Sequence, residues 1–266
     1  MFVPGTTSRP PADMAIPHNE QLIFTIMTQI PFIFVLYKAF KNLAKGDPTC
    51  LLFAIGGVIA AAFEPLVDVT GFCFFPREGN WIAFELHGRP IPIFVPATYG
   101  WFVGGQGYWF LTILRNETTT RSGVWRLWLR SFAANLVLEY PPLYWGIYIY
   151  YGYQPFSLGG FPLWFPAIHA VSPMMAAGFV FILRENLLGW KAITIPGIVS
   201  SAYVMANAGL GWPVWAALSV DNGYHTTYPA AIATISLIAT TIWIVSLTVP
   251  ATRGSTSKSN QRAAKG

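Results

Sequence analysis

The sequence predicts an all-α, polytopic membrane protein: a bundle of seven transmembrane helices, with its N-terminus outside or lumenal and its C-terminus cytosolic. Three observations predict this. Of 266 residues, 54% are hydrophobic and only 10% are Asp, Glu, Lys or Arg, where a soluble domain carries about 25% charge. Seven apolar stretches each reach the ~20 residues needed to cross a ~30 Å hydrocarbon core. The basic residues fall between those stretches and alternate in density from one connection to the next.

Residues 1–20 hold Pro4, Pro10, Pro11 and Pro17 and no apolar core, so they read as an extramembrane segment rather than a cleavable signal. The membrane domain is expected at 21–249, with spans near 21–42, 50–72, 92–114, 125–149, 164–184, 190–217 and 227–249. All are interrupted by Gly or Pro, tolerated in lipid where neighbouring helices re-satisfy the backbone. Residues 250–266 are small, polar and basic and read as a disordered cytosolic tail. Lys38, Lys41 and Lys45 follow the first span, Arg115, Arg121, Arg126 and Arg130 surround the 3–4 connection, Arg184 and Lys191 flank the 5–6 turn, and Arg253, Lys258, Arg262 and Lys265 close the chain. Only Arg9, Arg77 and Arg89 lie on the other side, a positive-inside bias that sets the orientation. The net charge of +5 is therefore distributed for membrane orientation and not for nucleic-acid binding. In this topology the sequon Asn116-Glu117-Thr118 is cytosolic and goes unused. Cys50 and Cys73 lie near opposite ends of one helix, too far apart to bridge. The outer 2–3 and 4–5 connections are long, aromatic and rich in Gly and Pro, which leaves room for a re-entrant lid.

Ionisable residues inside spans are costly, and are functional candidates for that reason. Glu64 and Asp68 lie four apart on one face of the second helix, and Asn135 and Glu139 repeat that spacing on the fourth. At ~1.5 Å per residue both glutamates lie on the order of 20 Å above the cytosolic ends of their helices. His169 on the fifth helix and Asn207 on the sixth come to a similar level, so four helices deliver polar groups to one layer in the outer half. Asp221 lies in the short 6–7 connection. Structural alternatives stand beside each: neutral acids bonded to a neighbouring helix for Glu64 and Glu139, a helix-end anchor for Asp68, an inter-helix hydrogen bond for His169, helix glue for Asn135 and Asn207, and a solvated loop charge for Asp221.

Aromatic residues are assigned to the same outer half: Tyr99, Trp101, Tyr108 and Trp109 on the third helix, Tyr140, Tyr144, Trp145 and Tyr148 on the fourth, and Tyr203, Trp212 and Trp215 on the sixth. Beside carboxylates they suit one chemistry: a neutral carboxylic acid in an apolar pocket gives up a proton, and aromatic faces stabilise the resulting carbocation. The sequence has no lysine in the last span for a retinal Schiff base, no nucleotide-binding P-loop, no HExxH, no histidine cluster, no aspartate-rich magnesium motif and no Gly-x-Ser-x-Gly. Neither a cofactor nor a metal is expected.

With Glu64 in Ala-Phe-Glu64-Pro-Leu-Val-Asp68, Asp221 in Ser-Val-Asp221-Asn222-Gly, and about seven helices in some 250 residues, the chain resembles the integral-membrane terpene cyclases of fungal meroterpenoid and indole-diterpene pathways and their bacterial relatives. The resemblance implies a metal-free, protonation-initiated cyclisation of a prenylated, sometimes epoxidised, aromatic substrate. It implies Glu64 as proton donor and Asp221 as its partner, in a host membrane that is fungal endoplasmic reticulum or bacterial plasma membrane. Asp68, Glu139 and His169 stand as rival second groups. Tyr99, Trp101, Tyr108, Tyr140, Trp145, Asn135, Tyr203, Asn207 and Trp212 are the expected substrate contacts. The expected partners are a lipophilic isoprenoid and the bilayer. A proton-coupled transporter or channel, or a non-catalytic membrane partner, would use the same acids as a relay or as glue.

Overall fold

The structure, a computed structural model, describes residues 9–11, 13–220 and 222–251. Asp221, the tail from 252 and residues 1–8 and 12 lie outside the described residues. The chain is mostly helical, in seven rods among the described residues. They are α1 (His18–Leu43), α2 (Thr49–Gly71), α3 (94–114), α4 (Arg121–Tyr144), α5 (Trp164–Ile182), α6 (Gly189–Ser219) and α7 (Tyr224–Ser246). Five of them, α1, α2, α5, α6 and α7, are long and apolar enough to cross a membrane. α3 is divided into short pieces, and α4 carries Arg121, Arg126, Arg130 and Glu139. Large apolar side chains face outward on the flanking helices, among them Ile30, Ile33 and Phe34 of α1 and Ile232 and Trp243 of α7. Such a surface is the reverse of what water selects for a monomer.

Most helix limits fall within a few residues of the expected spans. The largest shift is at α4, expected over 125–149. The Thr120 side chain accepts a hydrogen bond from Gly123 N at 3.3 Å and starts the helix a turn early. Its far end stops at Tyr144 because Ile149–Tyr150 is drawn into a strand.

Helix ends sort into two poles. At one, Asn42 Nδ2 donates to the Tyr108 hydroxyl at 2.8 Å, and Arg121 N donates to Pro250 O at 3.1 Å. At the other, Ile16 N bonds Glu78 O at 2.9 Å, and the buried Gln21 donates to Gly79 O and accepts from Trp81 N. Tyr153 meets Tyr224 there, ring centroids 5.4 Å apart. This second pole carries three two-stranded ribbons where the sequence leaves room for a lid. β1 (Cys73–Phe74) pairs antiparallel with β4 (Ile149–Tyr150), β2 (Ile82–Leu86) with β3 (Arg89–Pro92), and β5 (Ser157–Leu158) with β6 (Phe161–Pro162). Each of the latter two turns on two residues of positive φ, His87-Gly88 and Gly159-Gly160, as tight hairpins require. Buried Gln154 locks the cap down: its amide donates to Gly71 O and Tyr151 O and accepts from Trp164 Nε1.

Glycines let the inner helices meet backbone to backbone. A Cβ on Gly57 of α2 would stand 2.7 Å from Gly104 N and closer still to Tyr99 O, and one on Gly104 would collide with Phe53 O. Small residues at a crossing replace hydrophobic drive with close packing when the solvent is itself apolar.

Candidate functional site

Beneath the capped pole lies a narrow cavity of about 60 Å³. Its wall is mostly apolar, with Phe24, Phe75, Phe94, Phe165 and Tyr150 among the lining rings. The rings pack against each other, Phe75 against Tyr148 at 4.9 Å and Tyr150 against Phe165 at 4.8 Å between centroids. Into this wall α2 contributes Glu64 and Asp68, α3 Tyr99, α4 Asn135 and Glu139, α5 His169 and α6 Tyr203.

Two acid clusters face this space. In the first, the Tyr99 hydroxyl donates to Glu64 Oε2, and Tyr99 and Tyr203 share a hydrogen bond between their hydroxyls. Because the Tyr99 proton is directed to Glu64, Tyr203 is the donor to Tyr99, and the three groups form a chain of one sense. The chain can also run in reverse, with a protonated Glu64 donating into it. In the second cluster, the Tyr148 hydroxyl donates to Glu139, and His169 Nδ1 stands 4.0 Å from Glu139 Oε1. The rings of His169 and Tyr203 are 6.5 Å apart and nearly parallel, so the clusters adjoin.

Polar atoms of the wall are buried with few partners: Asn135 Oδ1 and His169 Nε2 have none, and the Asp68 carboxyl has only the Cys73 thiol, a weak donor. Asp68 is 1% exposed. Arg89 lies close enough to act on it electrostatically from the cap, where its guanidinium donates to the Tyr151 hydroxyl at 3.2 Å. An orphaned buried acceptor costs ~1–3 kcal/mol, so this wall carries polar groups that the protein itself leaves largely unmatched.

Backbone irregularities coincide with the first cluster. α2 narrows to a 3₁₀ turn over Ala61–Phe63, immediately before Glu64. α3 widens to a π-helix over Gly100–Gly105, immediately after Tyr99. α6 does the same over Met205–Leu210, two residues after Tyr203. Single π turns concentrate at functional sites because they re-aim side chains at a cost in helix regularity. Here three helices depart from α geometry at the level where their side chains converge.

The other expected contacts do not line the cavity. Tyr108 sits at the opposite pole, bonded to Asn42 with Lys38 Nζ 5.3 Å from its ring centre. It lies nine residues past Tyr99 on a helix running away from the cap, ~13 Å deeper at 1.5 Å per residue, which corrects its assignment to the outer half. Trp212 is 63% exposed on the outer face of α6. Tyr140 donates to Leu158 O at 3.1 Å and props the β5–β6 ribbon. Trp101 packs on Phe102, Trp145 ends α4, and Asn207 is buried with its amide donating to Tyr203 O at 3.1 Å. Asn207 thereby braces the turn that carries Tyr203.

Cavity residues that the sequence did not single out include Cys73, Phe75 and Tyr150 from the cap and Phe24 and Phe165 from the helices. The clue is in the cap: the outer connections are long and aromatic, and the β1–β4 pairing folds two of them onto the site. Among the described residues, no group of three or more His, Cys, Asp or Glu side chains is arranged to hold a metal ion. No family model matches the chain, and neither a curated protein nor a solved structure matches it.

Proposed function

We propose that this chain is a seven-span membrane terpene cyclase, N-terminus outside and C-terminus cytosolic, that protonates a prenylated substrate and guides the carbocation through an aromatic cavity. The observation that carries the reading is the hydrogen-bonded chain Glu64–Tyr99–Tyr203 on one wall of an apolar, ring-lined space, with Glu139 and His169 on another. A neutral Glu64 breaks its O–H bond and delivers the proton to a terminal alkene carbon or epoxide oxygen of the bound chain. Tyr99, backed by Tyr203, donates to the carboxylate that remains and so stabilises the charge left behind. Ring closure moves the cation along the isoprenoid past Phe75, Phe94, Phe165 and Tyr150, whose faces stabilise it. Glu139 or His169 removes the terminal proton, and its return to Glu64 restores the acid. One proton enters and one leaves, so substrate and product are isomers. Asp221 lies outside the described residues and is kept as the partner acid that the family resemblance implies.

A transport reading needs ionisable groups strung across the bilayer. The acids and histidine here gather in one layer. Deeper in the bundle, Gln106 accepts from Ser131 Oγ at 2.7 Å. This distribution favours a closed reaction chamber.

The test is Glu64→Gln, assayed by mass spectrometry for an isomeric product from farnesyl- and geranylgeranyl-indoles and phenols, with and without a terminal epoxide. The amide keeps shape and hydrogen bonding but has no acidic proton. Turnover should fall by at least ~10²-fold with unchanged membrane insertion. Undiminished cyclisation would remove Glu64 from the mechanism. Failure of folded wild-type protein to isomerise any of the panel would remove the reading itself.

A further inference from the structure

A second concavity lies on the outer surface of the bundle, between α2 and α6. Ile59, Ala62 and Phe63 form one side, and Ser201, Val204 and Met205 the other. Its origin is legible in the packing. At the inner end the two helices touch: a Cβ on Gly56 would lie 2.7 Å from Val199 Cβ and 2.8 Å from Pro196 O. A turn further toward the capped pole they part around larger side chains, and each wall then loses α geometry, at Ala61–Phe63 and at Met205–Leu210. The concavity faces outward: Ile59 is 50% and Met205 49% exposed.

What separates this groove from the reaction cavity is thin. Phe63 lines the groove and its ring meets that of Tyr203 edge-on, 6.3 Å between centroids. Tyr203 and Glu64, the residue next to Phe63, both line the cavity. The Phe63–Tyr203 contact, flanked by a 3₁₀ turn and a π turn, therefore lies between an apolar groove on the lateral surface and the wall that carries the proton donor. On the polar side, Gln154 and the β1–β4 pair tie the cap segments together.

We infer that the α2–α6 groove binds the hydrocarbon chain of a bilayer-dissolved isoprenoid and is its lateral way into the cavity, with the Phe63–Tyr203 contact as the partition. This rests on the cyclase reading for the identity of the ligand, and three features of the groove favour that occupant. The groove is apolar, it opens on the lateral surface, and the cavity behind it is lined by rings suited to the same chain. Of the two serines at its edge, Ser200 Oγ is already bonded to Gly197 O at 3.2 Å, and Ser201 is exposed at the rim. Passage requires only that the Phe63 ring swing from its edge contact, a side-chain motion on the scale of other gates between packed helices.

The experiment uses the full chain in lipid nanodiscs and a farnesyl chain bearing a terminal diazirine, with adducts mapped by mass spectrometry. Adducts should concentrate on the peptides holding Phe63 and Met205, and Ser201→Trp, which fills the groove from a surface position, should abolish them. Excess unlabelled farnesyl-indole should compete. Adducts spread evenly over α1, α6 and α7, or concentrated labelling that Ser201→Trp leaves unchanged, would overturn the assignment. Because labelling needs no turnover, it reads the groove even if cyclisation is absent. If the chain is a cyclase, Ser201→Trp should also raise KM for membrane-delivered substrate at least ~10-fold with kcat preserved, whereas a defect in the chemistry would lower kcat.

Discussion

At the scale of single residues, the informative feature is a mismatch between burial and bonding. Asp68 is buried and meets only the Cys73 thiol, a weak donor, while Glu64 and Glu139, 35 and 9 positions along the chain from the tyrosines that bond them, are each held by a phenol. Such a group lowers stability in the resting protein and is retained only where it serves a ligand. Asp68→Leu, similar in shape and free of polar atoms, should raise the thermal midpoint of the detergent-solubilised protein while reducing cyclisation at least ~10-fold. A lowered midpoint would mean that Asp68 braces the fold. Much of this layer is legible in the sequence, because counting residues along the spans places Glu64, Asn135, Glu139, His169 and Asn207 at one level, although on α6 it is Tyr203, one turn before Asn207, that lines the cavity. Counting failed for Tyr108, where the descent of α3 was not followed far enough. It could not separate Tyr140, which props a ribbon, from Tyr148, which bonds Glu139, because both are tyrosines near one helix end.

At the scale of elements, the site depends on helices being held closer than ordinary side chains permit. Gly57→Ala would press a methyl group onto Gly104 N and Tyr99 O. α2 and α3 must then separate by some tenths of an ångström, at ~1–3 kcal/mol, and Tyr99 is drawn from Glu64. Turnover should fall more than the loss of folded protein explains, measured as kcat per properly folded molecule. Gly197→Ala, with open space around its Cβ, should be neutral or stabilising and serves as the matched control; an equal loss in both would discard the close-packing argument. The cap responds to another variable. Arg77 holds Glu85 across the β2 region through two hydrogen bonds of 2.8 and 2.6 Å, which keep the Glu85 carboxyl below its usual range near 4.5. Its contribution is present above that usual value and is lost as pH falls through the lowered one. Proteolytic nicking of the hairpin should therefore rise only below about pH 4.5, and Arg77→Gln should remove the dependence. The ribbons and π turns were not legible in advance. They come from contacts between distant segments, such as Cys73 with Tyr150 and Gly57 with Gly104, and local sequence does not encode them.

At the scale of the whole molecule, charge and geometry bear on orientation independently. The bonds Asn42–Tyr108 and Arg121–Pro250 gather the ends of α1, α3 and α7 and the start of α4 at one pole. The flanking residues Lys38, Lys41, Lys45, Arg115 and Arg121 belong to that same pole. The cap, by contrast, is joined through Ile16–Glu78, Gln21–Trp81 and Cys73–Tyr150, and its basic residues are few. A protein inserted under the positive-inside rule would keep the first pole in the cytosol. A C-terminal green fluorescent protein fusion should then fluoresce, and an N-terminal alkaline phosphatase fusion with a suitable leader should be active outside. The sequon at Asn116 belongs to the basic pole, and its side chain already accepts from Thr118 N at 3.0 Å and Thr118 Oγ1 at 2.9 Å. Expressed in a glycosylating host, it should remain unmodified, whereas a sequon placed in the β2–β3 turn at Gly88 should be used. Glycosylation at Asn116 would invert the bundle. The acid layer would then lie in the cytosolic half of the bilayer instead of the outer half.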